Sequence, residues 1–228
     1  MEPDEKIILL KFVNIIQPFI YLESNRHSSL IKALVETRIH TGRDINSGEI
    51  NVNEQQGYPG HWLGALGYLT ILDLFGSCFK TSDGQCLGKN ENSIEFAIRT
   101  FCFDLLNNDE YWLNAVIALR NAFTHDFNLL NIPRNRNKFR LQQHRFSVYC
   151  SHNDPIITLP QCAWDGEITQ KDYSRTDNIT KVNLYTLGNM VEQTFSRIKQ
   201  GIEANTITIQ NDLRTTLNKY TYLEFENS

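Results

Sequence analysis

Along residues 4–126 the apolar positions recur at intervals of three and four, the spacing that puts one stripe of a helix against a core. Residues 4–22 carry Ile7, Ile8, Leu10, Ile15, Ile16 and Phe19 in that pattern, and Pro18 predicts a kink or a break. Ser28 or Ser29 is placed to cap a second helix running to Ile39, with Leu30, Ile31, Leu34 and Val35 on one side. Residues 42–57 are polar and glycine-containing, and read as a loop. A third helix is predicted over 59–79, where Gly60, Gly64 and Gly67 would let another helix come close. Residues 81–91 are turn-rich. A fourth helix follows over 91–106, with Ile94, Phe96, Ala97, Ile98, Phe101, Phe103 and Leu105. Asp109 is placed to cap a fifth, which carries Tyr111, Trp112, Ala115, Val116 and Leu119.

The period changes after Pro133. Residues 138–141, 145–150 and 156–159 are short, alternating or β-branched runs, and predict a small antiparallel sheet or a hairpin with an edge strand. Helical spacing returns from Thr180, where Leu184, Leu187, Val191, Phe195, Ile198 and Ile202 form a seam suited to a partner helix. The β-branched run 206–208 ends it, and 212–220 reads as a last short helix. The expected fold is mainly α: an antiparallel helical bundle over 1–130, a small antiparallel β insertion over 131–178 and a long late helix within 179–228, all in one domain.

Composition narrows the class. At 41% hydrophobic and 21% charged over 228 residues, the chain can bury a core without disulfides or metals. A net charge of −4 means that any hold on nucleic acid must come from a local patch. The five cysteines are odd in number and lack Cys-x-x-Cys spacing, which favours unbridged thiols in a reducing compartment. The acidic start and the lack of a long uninterrupted apolar run point to a cytoplasmic protein that spans no membrane.

Chemistry concentrates at Leu119-Arg120-Asn121-Ala122-Phe123-Thr124-His125-Asp126, where the fifth helix ends. Arginine offers a planar fork of donors matched to phosphate oxygens and keeps its charge. Histidine titrates near neutrality and can serve as general base and then acid. Asn121 can orient either one. Together they could deprotonate a ribose 2′-hydroxyl, which attacks the adjacent phosphate, while Arg120 stabilises the charge on the phosphorane. No metal ligand set accompanies His125 and Asp126, so neither metal nor cofactor is expected. On an ideal α-helix Asn121 and His125 share a face, but Arg120 lies about 140° from His125. The trio therefore needs a helix that ends at His125, a long reach by Arg120, or a second copy of the motif.

Arg120-Asn121-Ala122-Phe123-Thr124-His125 resembles the signature of the HEPN superfamily: arginine, four to six residues, then histidine, with a polar residue, often asparagine, directly after the arginine. The resemblance is specific over 120–125 and extends to 4–126 only as a helix pattern. It implies a helical bundle, metal-independent endoribonuclease activity, and a homodimer that joins two motifs in one cleft. Some members of the family have lost activity and serve as RNA- or protein-binding modules. Other members are toxins held by an antitoxin, and in one such branch a tyrosine two residues past the histidine is modified to silence the toxin. Here that position is Phe127, so silencing by that route is not expected.

Two further features bear on an RNA partner. Residues 127–153 contain no Asp or Glu but carry Arg134, Arg136, Lys138, Arg140 and Arg145, which suits either an RNA backbone or a solvated strand face. Asp73, set among apolar neighbours, suits either a role in orienting Arg120 or His125 or a local structural partner. Asp126 is a further supporting candidate.

Overall fold

Helix α1, His61–Cys78, is the centre of the structure, because its buried residues lie all round it rather than on one stripe: Tyr68, Leu69, Ile71, Leu72 and Phe75 among them. A computed structural model describes residues 37–50, 61–89, 91–126, 128–133, 135, 140–167 and 175–212, with Pro3, Lys6, Ile7, Leu9, Leu10 and Leu34 besides; the side chains of His125, Asp126 and Arg140 fall outside that description. The first two predicted helices lie mostly outside the described residues, as does the predicted helix over 212–220. What is described there is helical, including the turn 37–40.

Strand β1, Phe79–Thr81, follows α1 directly. Helix α2, Ser93–Ala97, begins at Asn92, whose side chain accepts the Ile94 amide. It does not continue as one regular helix to 106. It passes into a π segment, Ile98–Cys102, and then a 3-10 turn, Phe103–Leu106, closed by Asn107 in the left-handed region at φ 55°. Asp109 caps α3, Glu110–Asn121, by accepting the amides of Tyr111 and Trp112. Helix α3 then runs into a π turn, Ala122–Asp126.

The remaining elements overturn the expected helical bundle with an antiparallel insertion: the fold is mixed α/β with two sheets. Strands β2 (Leu130–Asn131), β3 (His144–Tyr149), β4 (Ile157–Thr158) and β5 (Thr180–Asn183) form a sheet in the order β2-β3-β5-β4. Its central pair, β3 and β5, is parallel, with Phe146 beside Thr180 and Val148 beside Val182, while β2 and β4 add antiparallel edges. Helix α4, Leu184–Glu203, springs from β5 through the cap Asn183, which accepts the Tyr185 amide. Strand β6, Ile207–Ile209, returns to pair antiparallel with β1 and so ties the ends of α1 and α4 together.

The physical reason is that the sheet is part of the core. Phe146, Ile157 and Val182 are buried together with Val116, Leu119, Leu187 and Val191 of α3 and α4. The apolar seam of α4 therefore meets a sheet as well as α1, and is not a helix–helix seam alone. Residues 180–183, expected to start a helix, alternate as a strand: Thr180 and Val182 are buried and Lys181 is exposed. Of the predicted strand over 138–141, residues 138 and 139 lie outside the described residues and Arg140–Gln142 is a 3-10 turn.

Candidate active site

Arg120 stands in the last turn of α3, where a cation also complements the helix dipole. Its Nη2 donates to Asp73 Oδ2 of α1 at 2.8 Å, and its Nη1 lies 3.4 Å from Asn121 Oδ1. The other Asp73 oxygen accepts the Ser93 hydroxyl at the start of α2. Three helices thus meet at one carboxylate. The pair is neither buried nor open: the Arg120 side chain is 21% exposed and that of Asp73 26%.

Local packing explains why Asp73 can reach both partners. A Cβ built on Gly76, one turn after Asp73, would lie 1.8 Å from the Ser93 carbonyl oxygen, so only glycine lets α2 start this close to α1. On the α3 side, Phe123 is fully buried and its ring packs on Trp62 with centroids 4.3 Å apart. Thr124 Oγ1 donates to the Arg120 carbonyl at 2.8 Å, satisfying one of the carbonyls that a helix end leaves open. His61, next to Trp62, is buried, and burial holds its pKa below the usual histidine value.

The π turn alters the geometry predicted for the motif. With i→i+5 bonding the backbone winds less per residue, so five positions make about one turn where an α-helix has already passed it. The angle between positions 120 and 125 is therefore smaller than the about 140° of an ideal α-helix. Both motif positions lie on one short, tightly anchored segment.

The sequence-predicted residues divide as follows. Arg120, Asn121 and Asp73 are brought together. His125 and Asp126 have their backbone in the π turn, and their side chains lie outside the described set. Arg134, Arg136 and Lys138 lie outside the described residues, and so does the side chain of Arg140. Arg145, on β3, lies 3.3 Å from both the Arg175 carbonyl and Asn178 Oδ1, so its fork is engaged with the sheet margin. Among the described residues no three His, Cys, Asp or Glu side chains converge as a metal site would require, and no disulfide forms. No described helix is long and apolar enough to cross a membrane.

Sequence reasoning missed Ser93, whose only signal was its place directly after a helix cap. It also missed Arg43, which is 4% exposed and lies within a polar network. Its Nη1 donates to Tyr68 Oη at 2.6 Å and lies 3.2 Å from Glu192, and its Nη2 donates to Asn189 Oδ1 at 2.7 Å. Glu192 also takes a two-pronged contact from Arg38 at 2.9 and 2.7 Å. The network pins the loop after residue 40 to α4, and no periodic pattern announces it. No family model, curated protein or solved structure matches the chain.

Proposed function

We propose that the chain is a metal-independent endoribonuclease that works through Arg120, Asn121 and His125 in the manner of HEPN ribonucleases. The reading rests on the motif and its setting, not on a bundle architecture. The observation that carries it is the seat of Arg120: one edge of the guanidinium is held by Asp73 while a fifth of the side chain stays open to solvent beside the π turn that bears His125. A guanidinium fixed in this way loses little freedom when it takes a phosphate, and preorganised charge is what stabilises a phosphorane.

In this reading His125 removes the proton from a ribose 2′-hydroxyl. The alkoxide attacks the adjacent phosphorus, Arg120 balances the charge on the non-bridging oxygens, and the P–O5′ bond breaks as the protonated His125 gives its proton to the leaving 5′-oxygen. Asn121 orients the guanidinium, and Asp73 positions it from behind. The products are a 2′,3′-cyclic phosphate and a 5′-hydroxyl. Asp126 and the basic run Arg134, Arg136, Lys138, Arg140 and Arg145 are proposed to guide the strand. A second copy of the chain would add its motif to the same cleft. A toxin or phage-defence effector, restrained by an antitoxin or another regulatory protein, is the biological setting such cleavage suits.

The test is RNA cleavage by the parent protein and by His125→Ala, with EDTA present and the product ends analysed. The expected result is EDTA-resistant cleavage that leaves cyclic phosphate ends and falls by at least 100-fold in the variant, with unchanged folding. Equal cleavage by the two proteins overturns the proposal. RNA retained without cleavage under every condition replaces it with a non-catalytic binding module.

A further inference from the structure

A second site lies at the other end of α3. A cleft of about 340 Å³ opens between the start of α3 and one face of α4. Trp112 forms one wall, and Thr186, Asn189, Met190 and Gln193 form the other, with Asn107 at the rim. Thr186, Asn189 and Gln193 recur at intervals of three and four, so they make one stripe of α4, beside the stripe that packs into the core. No charged side chain lines this cleft among the described residues. Its size is at the lower end of small-molecule sites.

One polar group in it is built in advance. The Asn189 amide turns its oxygen toward Arg43, at 2.7 Å. Arginine only donates, so the atom facing it must be oxygen, and the amide's NH2 is the end left to meet a ligand. Arg43 cannot release that oxygen easily, because its other nitrogens are tied to Tyr68 Oη and the Gly48 carbonyl and beside Glu192. The chain also keeps room for it: a Cβ on Gly188 would lie 2.1 Å from Arg43 Nη1. A buried cation thus fixes a half-buried amide and polarises it as a donor.

We infer that this cleft binds a neutral nucleobase, stacked on Trp112 and read at its edge by Asn189 and Gln193. Indole faces stack on bases of any kind, and side-chain amides pair with base edges that offer acceptor and donor side by side. A phosphate or carboxylate has no cation to meet in this cleft. The base therefore enters as a nucleoside or as one unstacked base of an RNA strand, and the two share this chemistry. The cleft is distinct from the motif: Trp112 precedes Arg120 by eight residues, about 12 Å along the helix.

Titration calorimetry with adenosine, guanosine, cytidine, uridine and a single-stranded oligoribonucleotide tests the assignment. The key variant is Asn189→Asp, which keeps the oxygen on Arg43 and removes the NH2 donor; Gln193→Ala, at an exposed position, guards against a folding defect in the first. The expected result is binding of at least one nucleoside, weakened at least tenfold in N189D and severalfold in Q193A, and unchanged in His125→Ala. If only the oligonucleotide binds, with the same losses in both variants, the source is a strand base and the assignment stands. No binding of any of the five at millimolar concentration, or binding that neither variant weakens, overturns it. Failure here leaves the cleavage proposal intact, because the two sites share no residue.

Discussion

At the residue scale, Asp73 joins the fold to the motif. It sits where α1, α2 and α3 converge, and it takes one hydrogen bond from each of the other two helices, through Ser93 and Arg120. Removing either partner has a different consequence. Arg120→Ala leaves a carboxylate that still holds Ser93 and can be hydrated at its exposed edge. Asp73→Asn keeps the shape but offers Arg120 a neutral amide. Because both side chains are between one-fifth and one-third exposed, solvent screens the pair. A double-mutant cycle by urea unfolding, with Asp73→Asn and Arg120→Ala singly and together, should return a coupling of about 1 kcal/mol. Simple additivity of the two variants would mean that the ion pair does not form in solution. In the cleavage assay, D73N should slow turnover while Arg120→Lys fails to restore the parent rate, since a lysine has no fork to hold a phosphate and the carboxylate together.

At the element scale, what decides the site is how closely α2 begins against α1. Three features of α1 were legible as a sequence: an apolar helix, small residues spaced for close approach, and an acid among apolar neighbours. The glycine that matters was not among those the pattern marked. Gly60 lies outside the described residues, Gly64 and Gly67 face Thr41 and Thr37, and it is Gly76 that faces the Ser93 backbone. Gly76→Ala should therefore cost about 1–3 kcal/mol or more, since the neighbour in the way is backbone and cannot rotate aside. It should also loosen Ser93 from Asp73. Thermal unfolding of the variant checks this, and a melting temperature equal to that of the parent would refute the close approach. The same scale shows why α3 and the strand runs at 145–150 and 156–159 are legible in the sequence, while the other strands and the parallel pairing are not. Helix α3 is specified locally, by the Asp109 cap and a 3.6-residue period. Strands β1, β5 and β6 are three or four residues long, and their identity depends on partners distant in sequence: residue 80 pairs with 208, and 148 with 182. The π turn was equally invisible, because a switch from i→i+4 to i→i+5 bonding leaves no compositional mark.

At the scale of the whole molecule, the sheet carries a pH dependence into the core. His144 opens β3 and is 8% exposed. Its Nε2 lies 2.8 Å from the Leu141 carbonyl, which can only accept, so Nε2 bears the proton. In the neutral ring Nδ1 then accepts the Thr180 hydroxyl, also at 2.8 Å, which links β3 to β5 where they run parallel. Burial pushes the pKa of this imidazole below its usual value of 6.5, and that of His61 moves the same way. Above pH 6.5 both histidines are neutral in the folded and unfolded chains, and stability does not depend on them. As the pH falls below 6.5, the unfolded chain takes up protons that the folded chain refuses, so stability drops until the folded pKa is reached. For His144 alone the limiting slope is about 1.4 kcal/mol per pH unit, and His61 adds to it in the same direction. Among the described residues the carboxylates held below their usual range, Asp104, Glu110 and Asp177 by arginine partners and Asp44 and Asp83 by amide and hydroxyl donors, titrate at lower pH than these two histidines. Urea unfolding at pH 7.5 and pH 5.5 should thus show a clear loss at the lower value. The loss should be smaller in His144→Gln, which begins less stable because an amide cannot bridge the Leu141 carbonyl and the Thr180 hydroxyl with the ring's geometry. A profile as steep in that variant as in the parent would place the dependence elsewhere than at the β3–β5 junction.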